Sequence, residues 1–283
     1  MKFQIVSDLH LEFRGENFIN LFVPCAPVLC MVGDICACGN PKDFAIFIKF
    51  LKYITPKYSY ILHVAGNHEY YTAGSSQNQI ANNTMKDIDL RLKNLSKTFE
   101  NYYYLNNDTY ELISKKGKHY VFIGTTLWSQ IPKKKIVINE KKNISMDLAE
   151  LIEKRMNDYN HIYVKTKDNQ IRKYTIIDMQ KKHKKAVAFV KKELNKAKSN
   201  YIYILLTHHK PIFDRNSDEQ DALTYAYESP LQDIIIKSPI KLAAHGHTHK
   251  SYNKIINKVR VISNPKGYPS ERTQFNEKLT ISI

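Results

Sequence analysis

Five short runs of metal-seeking side chains lie along this 283-residue chain, in the order Asp8-Leu9-His10, Gly33-Asp34, Gly66-Asn67-His68-Glu69, Thr207-His208-His209 and Gly246-His247-Thr248-His249. Carboxylate, neutral imidazole and amide oxygen suit borderline first-row divalent ions, whereas a set of thiolates would point to structural zinc. Asp34 stands alone in its run, which makes it the natural carboxylate to bridge two ions. Two ions about 3.5–4 Å apart clamp the attacking and leaving oxygens of an in-line displacement at phosphorus, and they lower the pKa of a bound water. Chance supplies one such run often. It rarely supplies five, each behind an apolar stretch.

Those stretches are the elements that must position the ligands. Buried strands are predicted at 3–7, 28–32, 60–64, 119–125, 202–207, 242–245, 259–263 and 279–283, and helices at 41–54, 77–99, 176–198 and 229–236. In the third helix Met179, His183, Ala186, Val187, Val190, Leu194 and Ala197 recur at spacings of three and four, an apolar stripe along one face. Strands alternating with helices imply an α/β sheet covered by helices, in which ligands bind outside the strand ends. A length of 283 residues leans towards two domains. One site drawing on residues 8 to 249 instead requires a single domain spanning 1–283, able to bury on the order of three quarters of its unfolded surface.

The pattern DxH, GD, GNH[D/E], H and GHxH resembles that of the calcineurin-like metallophosphoesterase superfamily, with every element unaltered here from residue 1 to about 265. The opening Val6-Ser7-Asp8-Leu9-His10-Leu11-Glu12-Phe13, with Gly124-Thr125-Thr126-Leu127-Trp128, Met156-Asn157-Asp158-Tyr159 and Asn264-Pro265-Lys266-Gly267-Tyr268, resembles its small stand-alone branch. The resemblance implies a four-layer α-β-β-α sandwich of two mixed sheets, with a binuclear metal site at the strand ends. It implies that Asp8, His10 and His249 hold one ion and Asn67, His208 and His247 the other, with Asp34 bridging. A hydroxide between the ions would attack phosphorus. His68 would touch phosphate oxygens or protonate the leaving group, and Glu69 would orient its ring. His208 and His209 compete as ligand; His208 is preferred because it ends the apolar run directly. Such a ligand set accepts Mn, Fe, Zn, Ni or Mg, with Mn the ion of choice in vitro. A protein Ser/Thr phosphatase is disfavoured, because that branch carries GDxxDRG where Ile-Cys-Ala-Cys-Gly follows Asp34 here.

Other residues have simpler readings beside functional ones. His245 reads as a satisfied imidazole. Asn157, Asp158 and His161 read as a loop near the open side, with a substrate role as the alternative. Trp128 reads first as core and second as a wall for a base or sugar. Residues 130–175 are polar and lysine-rich and do not read as core; we expect a basic cap or flap beside the metal centre. From 130 to 200 the chain carries 19 Lys and Arg against 8 Asp and Glu, so +11 of the net +16 falls there. Lys133, Lys134 and Lys135 would then steer polyanionic substrates. Only seven of the 43 basic residues are Arg, so an AT-rich genome accounts for much of the charge.

Cys25, Cys30, Cys36 and Cys38 show no zinc-finger spacing. With a core strand starting at Lys2, they suggest an unexported, reduced, cytoplasmic protein, and no apolar stretch nears the roughly 20 residues that span a bilayer. The expected activity is hydrolysis of a small phosphodiester, phosphomonoester or nucleotide pyrophosphate. A nuclease is the alternative, with the basic flap on the backbone and bases stacked on Tyr102-Tyr103-Tyr104 or Tyr225-Ala226-Tyr227. A non-catalytic scaffold is the third reading, and the intact ligand set speaks against it.

Overall fold

The computed structural model describes residues 1–139, 144–213 and 222–283. In chain order its strands are β1 (Lys2–Val6), β2 (Val28–Val32), β3 (Tyr60–Val64), β4 (Tyr102–Tyr104), β5 (Asp108–Ile113), β6 (His119–Thr125), β7 (Lys135–Asn139), β8 (Ile144–Asp147), β9 (Tyr163–Lys165), β10 (Ile171–Lys173), β11 (Ile202–Thr207), β12 (Ile240–His245), β13 (Tyr252–Ile256), β14 (Val259–Ser263) and β15 (Thr280–Ser282). Its helices are α1 (Pro41–Ile54), α2 (Gln77–Ala81), α3 (Met85–Asn94), α4 (Leu148–Arg155), α5 (Asp158–His161), α6 (Ile176–Leu194), α7 (Thr224–Tyr227) and α8 (Gln232–Ile236).

The apolar runs pair with one another. One sheet has the order β15-β1-β2-β3-β4 and the other β13-β14-β12-β11-β6-β5. Each is parallel in its interior, as Val-, Ile- and Leu-rich strands buried on both faces tend to be, and antiparallel at an edge, where β15 pairs with β1 and β5 with β6. Alternation along the strands divides the core into layers. Phe3, Ile5, Val28, Cys30 and Val32 meet Phe122, Ile204, Leu206, Leu242 and Ile262 between the sheets. Leu29, Met31 and Ile61 point the other way, onto Phe47, Phe50 and Leu51 of α1 and Ile88 and Leu92 of α3. Leu205, Ala243 and Val261 do the same for Ala186 and Val190 of α6. The result is the α-β-β-α sandwich of two mixed sheets that the family resemblance implied.

The helix expected at 77–99 is two helices. Asn82-Asn83-Thr84 interrupts it, and Thr84 opens α3 as an N-cap whose amide and hydroxyl both bind Asp87. Residues 130–175 are less polar in space than in sequence. The hairpin β7–β8, α4, α5 and the hairpin β9–β10 occupy the stretch, and Leu148, Ile152, Tyr159, Ile162 and Tyr174 are buried in the same cluster as α1. These buried residues sit on elements of three to eight residues, or between them, too short for a periodic pattern to show against the surrounding charge. Residues 140–143 of the expected flap lie outside the described residues. Among the described residues, no helix is long and apolar enough to cross a membrane.

Candidate metal centre

β1, β2 and β3 of the first sheet and β11 and β12 of the second all end at one place. Asp8 and His10 follow β1, Asp34 follows β2, Asn67 follows β3, His208 follows β11, and His247 and His249 follow β12. Asp8, His10, Asp34, His247 and His249 all adopt positive φ, between +47° and +68°. A non-glycine residue in this region costs about 1–3 kcal/mol, and five clustered at one spot mark a site held in shape by its surroundings.

Three overlapping groups bring their ligand atoms within 4.8 Å of one another: Asp8, His10 and His249; His10, Asp34 and His68; Asp34, His208 and His247. His10 Nε2 faces His249 Nε2 at 3.0 Å, and His208 Nε2 faces His247 Nδ1 at 3.1 Å. Asn67 Oδ1 stands 3.0 Å from His208 Nε2. The Asp34 carboxylate reaches both sides: Oδ1 is 3.3 Å from His208 Nε2 and Oδ2 is 4.0 Å from His10 Nε2. His209 turns away, with Nδ1 donating to the Thr126 carbonyl at 3.1 Å. His245 is buried beneath, with Nδ1 on the Gly246 carbonyl.

The residues fit a cation. His208 Nδ1 donates to the Val32 carbonyl, which leaves Nε2 as a lone pair towards the cluster. Asp8 Oδ2 and His247 Nε2 are buried without a hydrogen-bond partner. Burial disfavours charge on His208 and His249, yet the Asp34 and Asp8 carboxylates outweigh it and push both up to about 9. Asp34 itself lies well below the usual carboxylate range, since His208 and His68 outweigh its burial. A potential strong enough to hold protons on imidazoles holds a divalent ion in their place.

Around these groups runs a second ring of contacts. His249 Nδ1 meets Glu271 at 2.6 Å. Asn67 Nδ2 donates to Asp158 at 2.8 Å and to the Tyr71 hydroxyl at 3.1 Å, which aims Oδ1 at His208. His68, the expected acid, does not meet Glu69. Its Nδ1 meets Glu12 at 2.8 Å and its Nε2 faces the Tyr268 hydroxyl at 3.1 Å. Burial disfavours a charged His68, but Asp34 and Glu12 raise it to about 9. Glu12 also meets His10 Nδ1 at 3.1 Å. Glu12 was missed in the sequence; it lies in the short turn Leu11–Phe13 that follows His10.

Glu69 has another job. Its buried carboxylate accepts from the amides of Asp34 (2.9 Å), Ile35 (2.7 Å) and Gly66 (2.6 Å). It pins the loop after β2 to the loop after β3, so the correction to the expected role is from ring orientation to loop anchoring. Glu69→Ala strands three buried N–H groups at about 1–3 kcal/mol each. The expected result is a thermal midpoint lowered by many degrees even in metal-free protein, read by circular dichroism. An unchanged midpoint would remove the anchoring role.

Glycines make room for the same loops. A Cβ on Gly33, which has φ +89°, would sit 2.3 Å from His208 Nδ1, and one on Gly66 would sit 2.1 Å from Asp34 Oδ1. Gly66→Ala must therefore displace the Asp34 carboxylate. Metal affinity is expected to fall about 10–100-fold, as it does when ligand-orienting contacts are lost, and titration with a competing chelator measures it.

The centre opens into a cleft of about 270 Å³ whose far wall includes Arg155, Met156, Asn157, Tyr227 and Tyr268. Lys133, Lys134 and Lys135 line a separate depression with Asp147. Tyr102 and Tyr104 are core residues, and Trp128 is buried between Tyr70, Tyr174 and His209.

Comparison with known proteins agrees with this geometry. A family model described as calcineurin-like phosphoesterase matches residues 1–251. The chain is 33% identical over 297 residues to uncharacterized protein L509 of Acanthamoeba polyphaga mimivirus, covering 98% of this chain and 95% of that one. The solved phosphopantetheinyl hydrolase of Mycobacterium tuberculosis superposes with a TM-score of 0.69 at 16% identity, over 95% of this chain and 90% of its own. That likeness is one of fold.

Proposed function

The chain belongs to the calcineurin-like phosphoesterase family, and on that premise we propose that it hydrolyses a small phosphodiester, phosphomonoester or nucleotide pyrophosphate. Asp8, His10 and His249 would hold one divalent ion and Asn67, His208 and His247 a second, with Asp34 shared. The observation that carries this reading is Asp34 itself, whose two oxygens face different histidine groups 3.3 and 4.0 Å away. Two ions so placed supply Lewis acidity at phosphorus and lower the pKa of a water.

The protein's own groups do the rest. Glu12 holds His68 by Nδ1, leaving Nε2 at the cleft to give a proton to a departing oxygen or bind a phosphoryl oxygen. Asp158 and Tyr71 fix the Asn67 amide, so the segment 148–161 acts as a cap built into the centre as well as a wall of the cleft. Arg155, exposed on that wall, is the planar cation placed to take an anionic part of the substrate. A cleft of about 270 Å³ suits a phosphate with a modest leaving group. It leaves Tyr227 as the one member of the two tyrosine runs at the centre, which supports the small ester over the nuclease. Four free cysteines favour a reducing, cytoplasmic setting.

Turnover by manganese-loaded protein, with and without a chelator, tests this. The panel holds bis-p-nitrophenyl phosphate, p-nitrophenyl phosphate, cyclic nucleotides, a dinucleoside polyphosphate and single-stranded DNA. Chelator-sensitive hydrolysis of a small ester is expected, and turnover confined to DNA would replace the proposal with the nuclease. Glu12→Gln keeps the size but removes the charge that His10 and His68 share, and should lower kcat about tenfold with little change in KM. A kcat equal to that of the unaltered chain would make Glu12 a packing residue.

A further inference from the structure

A second cavity, of about 250 Å³, lies between α6 and the end of β6. Lys181, Lys182 and Lys185 enter it from one side of α6, and Thr125, Asn107 and Trp128 face them. Among the described residues none of the three ammonium groups has an ion pair or hydrogen bond. Lys182 is half-buried. Burial pulls its ammonium below the ordinary value, Asp89 opposes that pull, and Lys185 adds to it.

The neighbouring acids do not offer a direct partner. Asp178, on the rim, is held by Arg172 through both oxygens, at 2.6 and 3.0 Å. Asp89 Oδ1 already accepts from Tyr70 and Tyr104 at 2.7 Å and from Asn106 at 2.8 Å. The polar wall is set to donate: Thr125 Oγ1 donates to Asn107 Oδ1 at 2.7 Å, so the Asn107 N–H groups are left over.

The wall is also strained. Leu127 and Trp128 adopt φ +70° and +57°, which bulky side chains avoid. Their carbonyls are tied to His183 at 3.1 Å and Ser229 at 2.6 Å, so the strain is held in place by bonds from α6 and from the residue preceding Pro230. It places the indole in the cavity wall, with the His209 ring centre 5.3 Å from its own. An outlier of this kind is a reason to look for a bound group beside it.

We propose that this cavity binds the phosphate group of a small anionic ligand, at a site separate from the metal cleft. Phosphate oxygens would accept from the lysines and Asn107, with Trp128 covering the less polar part of the ligand. An anion that suits this cavity would also suit the metal cleft, so the test must tell the two places apart.

Trp128 is the sole tryptophan, and it reports the cavity by its emission. Inorganic pyrophosphate is titrated into the full chain with chelator present and ionic strength fixed by chloride, with calorimetry on the same samples counting sites. A saturable change is expected. Its midpoint should rise about tenfold or more in the double variant Lys182→Gln with Lys185→Gln, and should stay within about twofold in Asp34→Asn. A midpoint unmoved by the lysine changes overturns the proposal, as does a midpoint moved more than about twofold in either direction by Asp34→Asn, which would put the anion in the metal cleft. No saturable signal by either method overturns it as well.

Discussion

Asp34→Ala is expected to abolish turnover and to strip the centre of metal. Asp34 Oδ1 and Oδ2 face the two histidine groups, so one truncation removes a ligand from both sides. It also removes the negative charge that, with burial opposing, raises His208 and His68 to about 9. Without it the imidazoles lose most of the negative potential that would draw a divalent ion among them, and Asp8 is the one carboxylate left in the set. Metal content by elemental analysis should fall from about two ions per chain towards none, and turnover by about 10⁴-fold or more, the loss expected when both ions are removed from a two-ion displacement. Asp34→Asn is the control for shape. Its side-chain oxygen can still accept from the His68 amide, as Oδ1 does at 2.8 Å, so loss of metal in both variants assigns the effect to charge. Full occupancy and activity in Asp34→Ala would refute the shared-ligand reading.

The inner strands and the ligand runs were legible because both are written locally. Val28–Val32 and Tyr60–Val64 are uninterrupted apolar stretches ending at a glycine and an Ala-Gly pair, and both form strands with those bounds. The edge strand Asp108–Ile113 is partly exposed and mixes charge with apolar residues, so it carries no such signal. The supporting contacts around the centre were not legible for a different reason. Glu12 meets His68, Asp158 meets Asn67 and Glu271 meets His249, across separations of 56, 91 and 22 residues. No local period encodes such meetings. Glu69 shows the hazard of reading neighbours as partners: it follows His68 directly, but the tight turn after Asn67 sends its carboxylate down into the fold and the imidazole up to the cleft. The basic stretch 130–175 misled in the same way, since composition counts lysines that face solvent and overlooks the apolar residues spaced between them.

His68→Ala should separate binding of metal from use of it. The ring is not needed to complete either group of three that lacks it, Asp8-His10-His249 or Asp34-His208-His247, so metal content should stay within about twofold of the unaltered chain. Turnover should fall about 10²–10⁴-fold, the contribution of a positioned proton donor. The loss should depend on the leaving group: small for p-nitrophenolate, which departs without a proton, and large for an alkyl alcohol, which does not. Glu12 supplies the sharper check, because it acts on the reaction through the imidazole it holds at 2.8 Å. If that is its role, Glu12→Gln costs little further in a chain already lacking His68, and the two effects are far from additive. Fully additive losses would mean that Glu12 works through His10, its other contact at 3.1 Å, and so through the metal ligands. Unaltered rates towards alkyl esters in His68→Ala would end the proton-donor role and leave the ring as a phosphate contact.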